Sequence, residues 1–116
     1  MSLFVHNEEG DNYEAEINGV RFVCQEVTPE YETTATALAE AYKKKLPQIV
    51  AFMLDDITAI FGDISADALT EALGTPEIDL DRSIISYLEQ TLDDSHIIDV
   101  EYGDNFEELY EVIIDG

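Results

Sequence analysis

The sequence predicts an α+β fold: an antiparallel sheet of about five strands, an N-terminal hairpin plus C-terminal strands, with two or three helices packed on one face. Alternating runs flank Asn18-Gly19, apolar residues recur at helical spacing through the middle of the chain, and alternation returns near its end. These patterns are typical of a hairpin, helices and further strands. A chain of 116 residues suits one core, so we expect a single domain over residues 1–116.

The N-terminal hairpin follows from its turn. Asn18-Gly19 favours a two-residue type I′ turn. That turn fixes three pairs on one face: Ile17 with Val20, Ala15 with Phe22, and Tyr13 with Cys24. We expect this face to be the core face, with Glu16 opposite Arg21 on the other face. Cys24 is then a buried thiol, and as the chain's single cysteine it forms no internal disulfide.

A long apolar stripe predicts the main helical segment. Thr28 suits a helix cap, Pro29 suits the first helical position, and Gly62 suits the end. Between them, apolar residues recur at spacings of three and four: Tyr31, Ala35, Leu38, Tyr42, Leu46, Ile49, Met53, Ile57 and Ile60. Pro47 lacks a backbone donor, so we expect a kink or a short break over residues 45–47. If the helical layer left this stripe exposed, the protein would form a homodimer.

The remaining elements are shorter. Residues 65–74 predict a short helix that buries Leu69 and Leu73. Residues 83–92 combine helical spacing with strand-forming residues, and we interpret them as a strand. Residues 96–102 and 109–114 predict two strands joined by a hairpin at residues 103–105. Alternation places two sets of side chains on single faces: Ile98, Val100 and Tyr102 on the first strand, and Tyr110, Val112 and Ile114 on the second.

The charge of the chain limits its partners. There are 27 acidic residues and 5 Lys and Arg, a formal net charge of −22. Residues 75–116 hold 13 of the acidic residues and one base, Arg82. Such a surface repels nucleic acid and anionic membranes and attracts basic proteins. The sequence contains neither a secretory leader nor an apolar run long enough to span a membrane, so we expect a cytoplasmic protein.

Catalytic and cofactor motifs are missing from the sequence. There is no G-x-S-x-G, no phosphate-binding loop and no G-x-G-x-x-G. The two histidines, His6 and His96, are far apart along the chain, and neither has a neighbour that marks it as a catalytic base. We therefore expect no enzymatic activity and no cofactor.

A cluster of acidic residues beside a histidine supports an alternative function. Asp93, Asp94, His96 and Asp99 could bind a divalent metal, or centre a small-molecule site, because carboxylate oxygen and imidazole nitrogen are common metal ligands. The cluster lacks the spacing of an EF-hand loop and contains no H-x₃-H pair. The same residues also suit an ordinary polar turn before a strand.

The favoured hypothesis is a surface that binds a basic protein. On the outer face of the C-terminal strands, Asp99, Glu101 and Glu111 should lie together. The candidate patch also includes Glu107 and Glu108 at the hairpin, and the aromatic residues Tyr102, Phe106 and Tyr110. A protein of this kind would be immunity-like or inhibitor-like, or would mimic DNA. The alternative is a solvated face whose charges prevent aggregation.

The C-terminal segment also carries a resemblance. Residues 87–116 include Tyr87-Leu88, the run from Asp93 to Val100, and the final Ile113-Ile114-Asp115-Gly116. These motifs are not specific, but through them the chain resembles a group of short acidic bacterial proteins that share a domain of unknown function. The resemblance implies a small cytosolic bacterial α+β protein and draws interest to Asp94 and His96, with no activity to transfer.

Overall fold

The computed structural model describes residues 4–93 and 95–115. Its strands are β1 (Val5–Asn7), β2 (Asn12–Ile17), β3 (Val20–Cys24), β4 (Glu77–Asp79), β5 (Ile84–Tyr87), β6 (Ile97–Gly103) and β7 (Glu108–Asp115). Two helices, α1 (Tyr31–Phe61) and α2 (Ala66–Leu73), lie between β3 and β4, and a short 3₁₀ turn (Asp104–Phe106) joins β6 to β7. The predicted α+β class is confirmed.

The sheet is larger than predicted and is mixed. Its strands follow the order β1-β2-β3-β4-β5-β6-β7. Every neighbouring pair is antiparallel except β3 and β4, which are parallel. The prediction of about five strands, all antiparallel, was wrong in these details. Strands β1 and β4 have three residues each, too few to show alternation, and the helical connection between β3 and β4 permits a parallel pair.

The N-terminal hairpin has the predicted register. Ile17 pairs with Val20, Ala15 with Phe22, and Tyr13 with Cys24. Asn18 and Gly19 have φ angles of 52° and 82°, as a type I′ turn requires. Glu16 also lies opposite Arg21, but the Arg21 guanidinium forms its ion pairs with Glu77 and Glu89, at 3.7 Å and 3.1 Å.

Helix α1 is one helix of 31 residues that continues through Pro47. The predicted break over residues 45–47 is not there, because buried side chains on both sides of the proline hold the helix against the same core. The predicted cap was wrong as well: Glu30 occupies the cap position, and the buried hydroxyl of Thr28 has no hydrogen-bond partner among the described residues. The Thr28 carbonyl instead accepts a hydrogen bond from the backbone N–H of Tyr31 at 3.1 Å.

The ends of the helices otherwise agree with the sequence. Gly62 ends α1, with a φ angle of 94°. The Ser65 hydroxyl accepts a hydrogen bond from the Ala68 N–H at 3.1 Å and so caps α2, and Gly74 follows its last residue. Leu69 and Leu73 of α2 are buried, as predicted.

The C-terminal strands agree with the prediction except at a bulge. Residues 84–87 form β5, so the strand interpretation holds for the first half of residues 83–92. Glu101 pairs with Glu111, and the adjacent Tyr102 pairs with Leu109, which leaves Tyr110 as the extra residue. Tyr110 is 57 % exposed, whereas Val112 and Ile114 pack against the core. The prediction that these three residues share one face was wrong, because the bulge reverses the alternation.

One core joins the helices to one face of the sheet. Apolar residues of α1 and α2 form a single cluster with alternate residues of the strands, including Phe22, Ile78, Ile85, Ile98 and Val100. Most of the predicted α1 stripe is buried in this cluster. The other face of the sheet carries the intervening side chains, and most of them stay at least partly exposed. Within residues 4–93 and 95–115, no helix is long and apolar enough to cross a membrane.

Candidate functional site

The candidate site is the sheet face opposite the helices, which we call the open face. Strand alternation places on it the residues that lie between core positions. It includes Glu14, Glu16, Arg21, Val23, Glu77, Asp79, Ile84, Ser86, Ile97, Asp99, Glu101, Glu111, Ile113 and Asp115. Apart from the Arg21 guanidinium, every charged group in this set is a carboxylate.

Register aligns these residues in rows across the sheet. One row runs Glu14, Val23, Asp79, Ile84, Glu101 and Glu111. The next row runs Glu16, Arg21, Glu77, Ser86, Asp99 and Ile113. Neighbouring strands are about 4.8 Å apart, so carboxylates on adjacent strands repel one another. The direct pair of Glu101 with Glu111 has this unfavourable arrangement.

The electrostatics of the open face are visible at Glu77. Partial burial raises the pKa of the Glu77 carboxyl, and the nearby carboxylates of Glu14 and Asp79 raise it further, although the Arg21 guanidinium acts in the opposite direction. Burial is therefore the main cause of the raised pKa of Glu77, and the carboxylates of Glu14 and Asp79 add smaller contributions. A cationic group brought to the face would relieve the repulsion.

The carboxylates of the predicted patch come together on the open face. Asp99 and Glu101 lie on β6, and Glu111 lies opposite Glu101 on β7. Asp99 accepts a hydrogen bond from the Ser86 hydroxyl at 2.6 Å, which fixes its orientation. Glu107 and Glu108 are exposed at the connection between the two strands.

The aromatic residues of the predicted patch divide. The Tyr110 hydroxyl donates to the Glu108 carboxylate at 2.5 Å, and the ring lies so close to Gly103 that a Cβ there would stand 2.5 Å from the hydroxyl oxygen. Tyr102 and Phe106 are buried in the core instead, with ring centroids 4.7 Å apart. These two residues lie outside the patch, because Tyr102 is on the core face of β6 and the Phe106 ring packs against Tyr42 of α1 and Tyr102.

The part of the open face on β4 is not predicted by any local pattern in the sequence. Glu77 and Asp79 on β4 lie beside Arg21 and Val23 on β3 through the parallel pairing. This pairing joins segments that are more than 50 residues apart, and a three-residue strand gives no periodic signal. The alternation of Glu14 and Glu16 with core residues was readable, but it did not reveal that the same face continues to β7.

The side chain of Asp93 forms hydrogen bonds that hold the turn before β6. One Asp93 carboxylate oxygen, Oδ1, accepts hydrogen bonds from the backbone N–H groups of Ser95 and His96 and from the Gln90 side chain. The other oxygen, Oδ2, lies 2.5 Å from His96 Nδ1. Burial would raise the pKa of the Asp93 carboxyl, but these hydrogen bonds outweigh it and lower the pKa. Both oxygens of Asp93 are therefore engaged in holding the turn before β6.

The proposed metal ligands do not converge in the part of the chain that is described. The side chains of Asp93 and His96 are within hydrogen-bond distance of each other, whereas Asp99 is hydrogen-bonded to Ser86 on the open face. Asp94 lies outside the described residues. Among residues 4–93 and 95–115, no group of three His, Cys, Asp or Glu side chains is placed to hold a metal ion.

Cys24 and His6 lie apart from the segment that contains Asp93 and His96. Cys24 is buried, and burial, together with the Asp81 and Asp79 carboxylates, raises its pKa to about 11. A thiol in this state is a poor nucleophile at neutral pH. His6 lies on β1, five strand positions from β6, which corresponds to about 24 Å. The two histidines are therefore too far apart to act on one substrate group.

A scan against models of known protein families found no match, and searches among curated proteins and among solved structures found none either. The resemblance of residues 87–116 to a domain of unknown function stays a prediction. Any functional proposal consequently rests on the geometry and charge of the molecule itself.

Proposed function

We propose that this protein is a non-enzymatic binding module that receives the basic surface of another protein on its open face. The observation that supports the proposal is the concentration of carboxylates on a sheet face that the helices leave uncovered. Partners of this kind include basic toxins and nucleases, which an immunity or inhibitor protein neutralises, and proteins that otherwise bind nucleic acid.

The charge of the whole molecule favours rapid encounter. A net charge of −22 attracts a basic protein over distances of about a Debye length, roughly 8–10 Å at physiological salt. The open face then supplies short-range pairs to Lys and Arg side chains. Association should accordingly be fast and should weaken as the salt concentration rises.

Two variants separate the open face from net charge. The sheet-face variant combines Glu77→Gln, Asp99→Asn and Glu101→Gln. The helix-layer variant combines Glu40→Gln, Asp55→Asn and Glu71→Gln, all exposed positions on α1 and α2. Each variant loses three negative charges from −22, so both have a formal net charge of −19. Glu77→Gln keeps the shape of the side chain and removes a charge whose burial raises the pKa of Glu77, at the loss of its ion pair with Arg21.

The test uses wild type and both variants as baits in an extract of the cells that make the protein. We expect wild type and the helix-layer variant to capture the same basic protein in stoichiometric amount, with loss at higher salt. The sheet-face variant should capture much less of it. Equal capture by the two variants, or no capture by wild type at low salt, would refute the proposal.

A further inference from the structure

Strand β7 forms one edge of the sheet. It is the last strand in the sheet order, and its outer edge pairs with no other strand of the described residues. From residue 111 to residue 115 it pairs with β6 in unbroken register, because the bulge ends at Tyr110. An edge of this kind presents alternate backbone N–H and C=O groups to a further strand. The opposite edge, β1, has only three residues.

A groove lined by apolar side chains and one carboxylate lies between α1 and β7 on the helical side of the sheet. A cavity of about 210 Å³ is lined by Asp56, Ala59 and Ile60 of α1 and by Val112 and Ile114 of β7. Ile60 is 57 % exposed although it belongs to the apolar stripe of α1. A strand added to β7 would place every second side chain on this side of the sheet, within reach of the groove.

On the other side of the same edge, β7 presents the carboxylates of Glu111 and Asp115 with the exposed Ile113 between them. There the added strand would meet Glu111 of β7, with Glu101 next to it on β6. Between residue 46 and the C-terminus the only Lys or Arg is Arg82. A second copy of this chain fits poorly, because its own β7 carries Glu108, Glu111 and Asp115 and its net charge is also −22. An occupant with Lys or Arg on this side is complementary.

We propose that β7 accepts an extended segment of the basic partner as an eighth strand. In the sequence of that segment, apolar residues alternate with Lys or Arg. Its apolar side chains enter the groove at Ile60, and its cationic side chains lie over Glu101 and Glu111. This inference rests on the proposed function, and it adds the mode of binding and the residue pattern of the partner.

The test uses three capped peptides of about eight residues with equal charge, a length that matches β7. The first alternates Lys and Val. The second has the same composition with Lys and Val in separate blocks. The third alternates Lys and Val but carries N-methyl groups on successive central amides, which removes the donors that strand addition needs. Affinity and the hydrogen exchange of β7 amides are measured on wild type, the sheet-face variant, one groove variant and one control variant at the opposite edge.

We expect the alternating peptide to bind at least about tenfold more tightly than the other two. The loss of one hydrogen bond or one buried side chain lowers affinity by a factor of this order. It should also slow exchange at alternate amides of residues 111–115. Ile60→Ser should weaken its binding, whereas Val5→Ser, at an exposed site on the opposite edge, should not.

Equal binding of all three peptides to wild type, with weaker binding to the sheet-face variant, would overturn strand addition and leave the proposed function standing. No binding of any peptide at low salt would count against both. A protein that is already a dimer, with β7 amides protected before peptide is added, would also overturn the inference, because a second copy would then occupy the edge.

Discussion

Two buried tyrosines hold the centre of the molecule through their hydroxyl groups. Tyr42 of α1 and Tyr87 of β5 are buried, and their hydroxyl oxygens are 2.8 Å apart. The Tyr42 ring also meets the edge of Phe106, with centroids 6.0 Å apart. This contact links the long helix to the sheet at a position where neither hydroxyl has water as an alternative partner.

Tyr87→Phe should destabilise the protein, because it leaves the Tyr42 hydroxyl buried without its partner. We expect a loss of about 1–3 kcal/mol in the free energy of unfolding, measured by urea denaturation. Tyr110→Phe is the matched control: it also removes a hydrogen-bonded hydroxyl, but at an exposed position where water replaces Glu108. Equal losses for the two variants would contradict this account.

The same tyrosines should make the protein sensitive to alkali. Burial raises the pKa of Tyr42 to about 12, and burial followed by the proximity of Tyr42 raises the pKa of Tyr87 well above its usual value. In the unfolded chain tyrosine ionises near pH 10. The stability that these groups confer is therefore complete below about pH 10 and is lost as the pH rises toward the folded pKa values. Tyr42→Phe should reduce the loss of stability between about pH 10 and 12; an unchanged loss would exclude Tyr42 as a cause.

Sequence patterns predicted individual elements well where the pattern was long. The Asn18-Gly19 turn fixed a register that the structure reproduces, and the stripe from Tyr31 to Ile60 gave the main helix. Sequence patterns did not predict the structure correctly where side-chain packing outweighs the local preference of a residue. Pro47 was expected to interrupt α1, but the burial of residues on both sides of it outweighs its local cost.

Pro47→Ala should stabilise the protein, because alanine restores the backbone donor that the middle of α1 lacks. Proline costs roughly 3 kcal/mol in a helix interior, and we expect a gain of about 1–3 kcal/mol in the free energy of unfolding. Pro29→Ala, before the first turn of α1, is the control and should change stability little. A Pro47→Ala variant that is no more stable than wild type would show that the helix has relaxed fully around the proline.

The acidic patch was only partly predictable, because part of it depends on pairing between distant segments of the chain. Asp99, Glu101 and Glu111 were expected together, since they alternate with core residues on adjacent strands. Glu77 and Asp79 join them through a parallel strand pair that no local pattern reveals. Tyr102 and Phe106 are buried instead, although aromatic residues suit both interfaces and cores; the alternation with Ile98 and Val100 already favoured the core for Tyr102, whereas no pattern placed Phe106.

At the scale of the whole molecule, charge opposes folding. A net charge of −22 on 116 residues repels itself in the compact state more than in the unfolded chain. Raising NaCl from about 0.01 M to about 0.5 M shortens the Debye length several-fold and should raise the melting temperature. At low salt the sheet-face variant should gain more than the helix-layer variant, because the carboxylates of the open face are crowded. A melting temperature that falls with salt, or equal gains for both variants, would contradict this prediction.

We propose that the open face, and not the net charge alone, binds a basic partner. The most direct test is the ratio of the dissociation constants of the sheet-face and helix-layer variants for the captured partner, measured at one moderate salt concentration. Both variants carry a formal net charge of −19, so long-range attraction is matched. We predict that the sheet-face variant binds at least about tenfold more weakly, since charge pairs at close range contribute more than 1.4 kcal/mol in total. A ratio near one would mean that the partner binds elsewhere or responds only to overall charge.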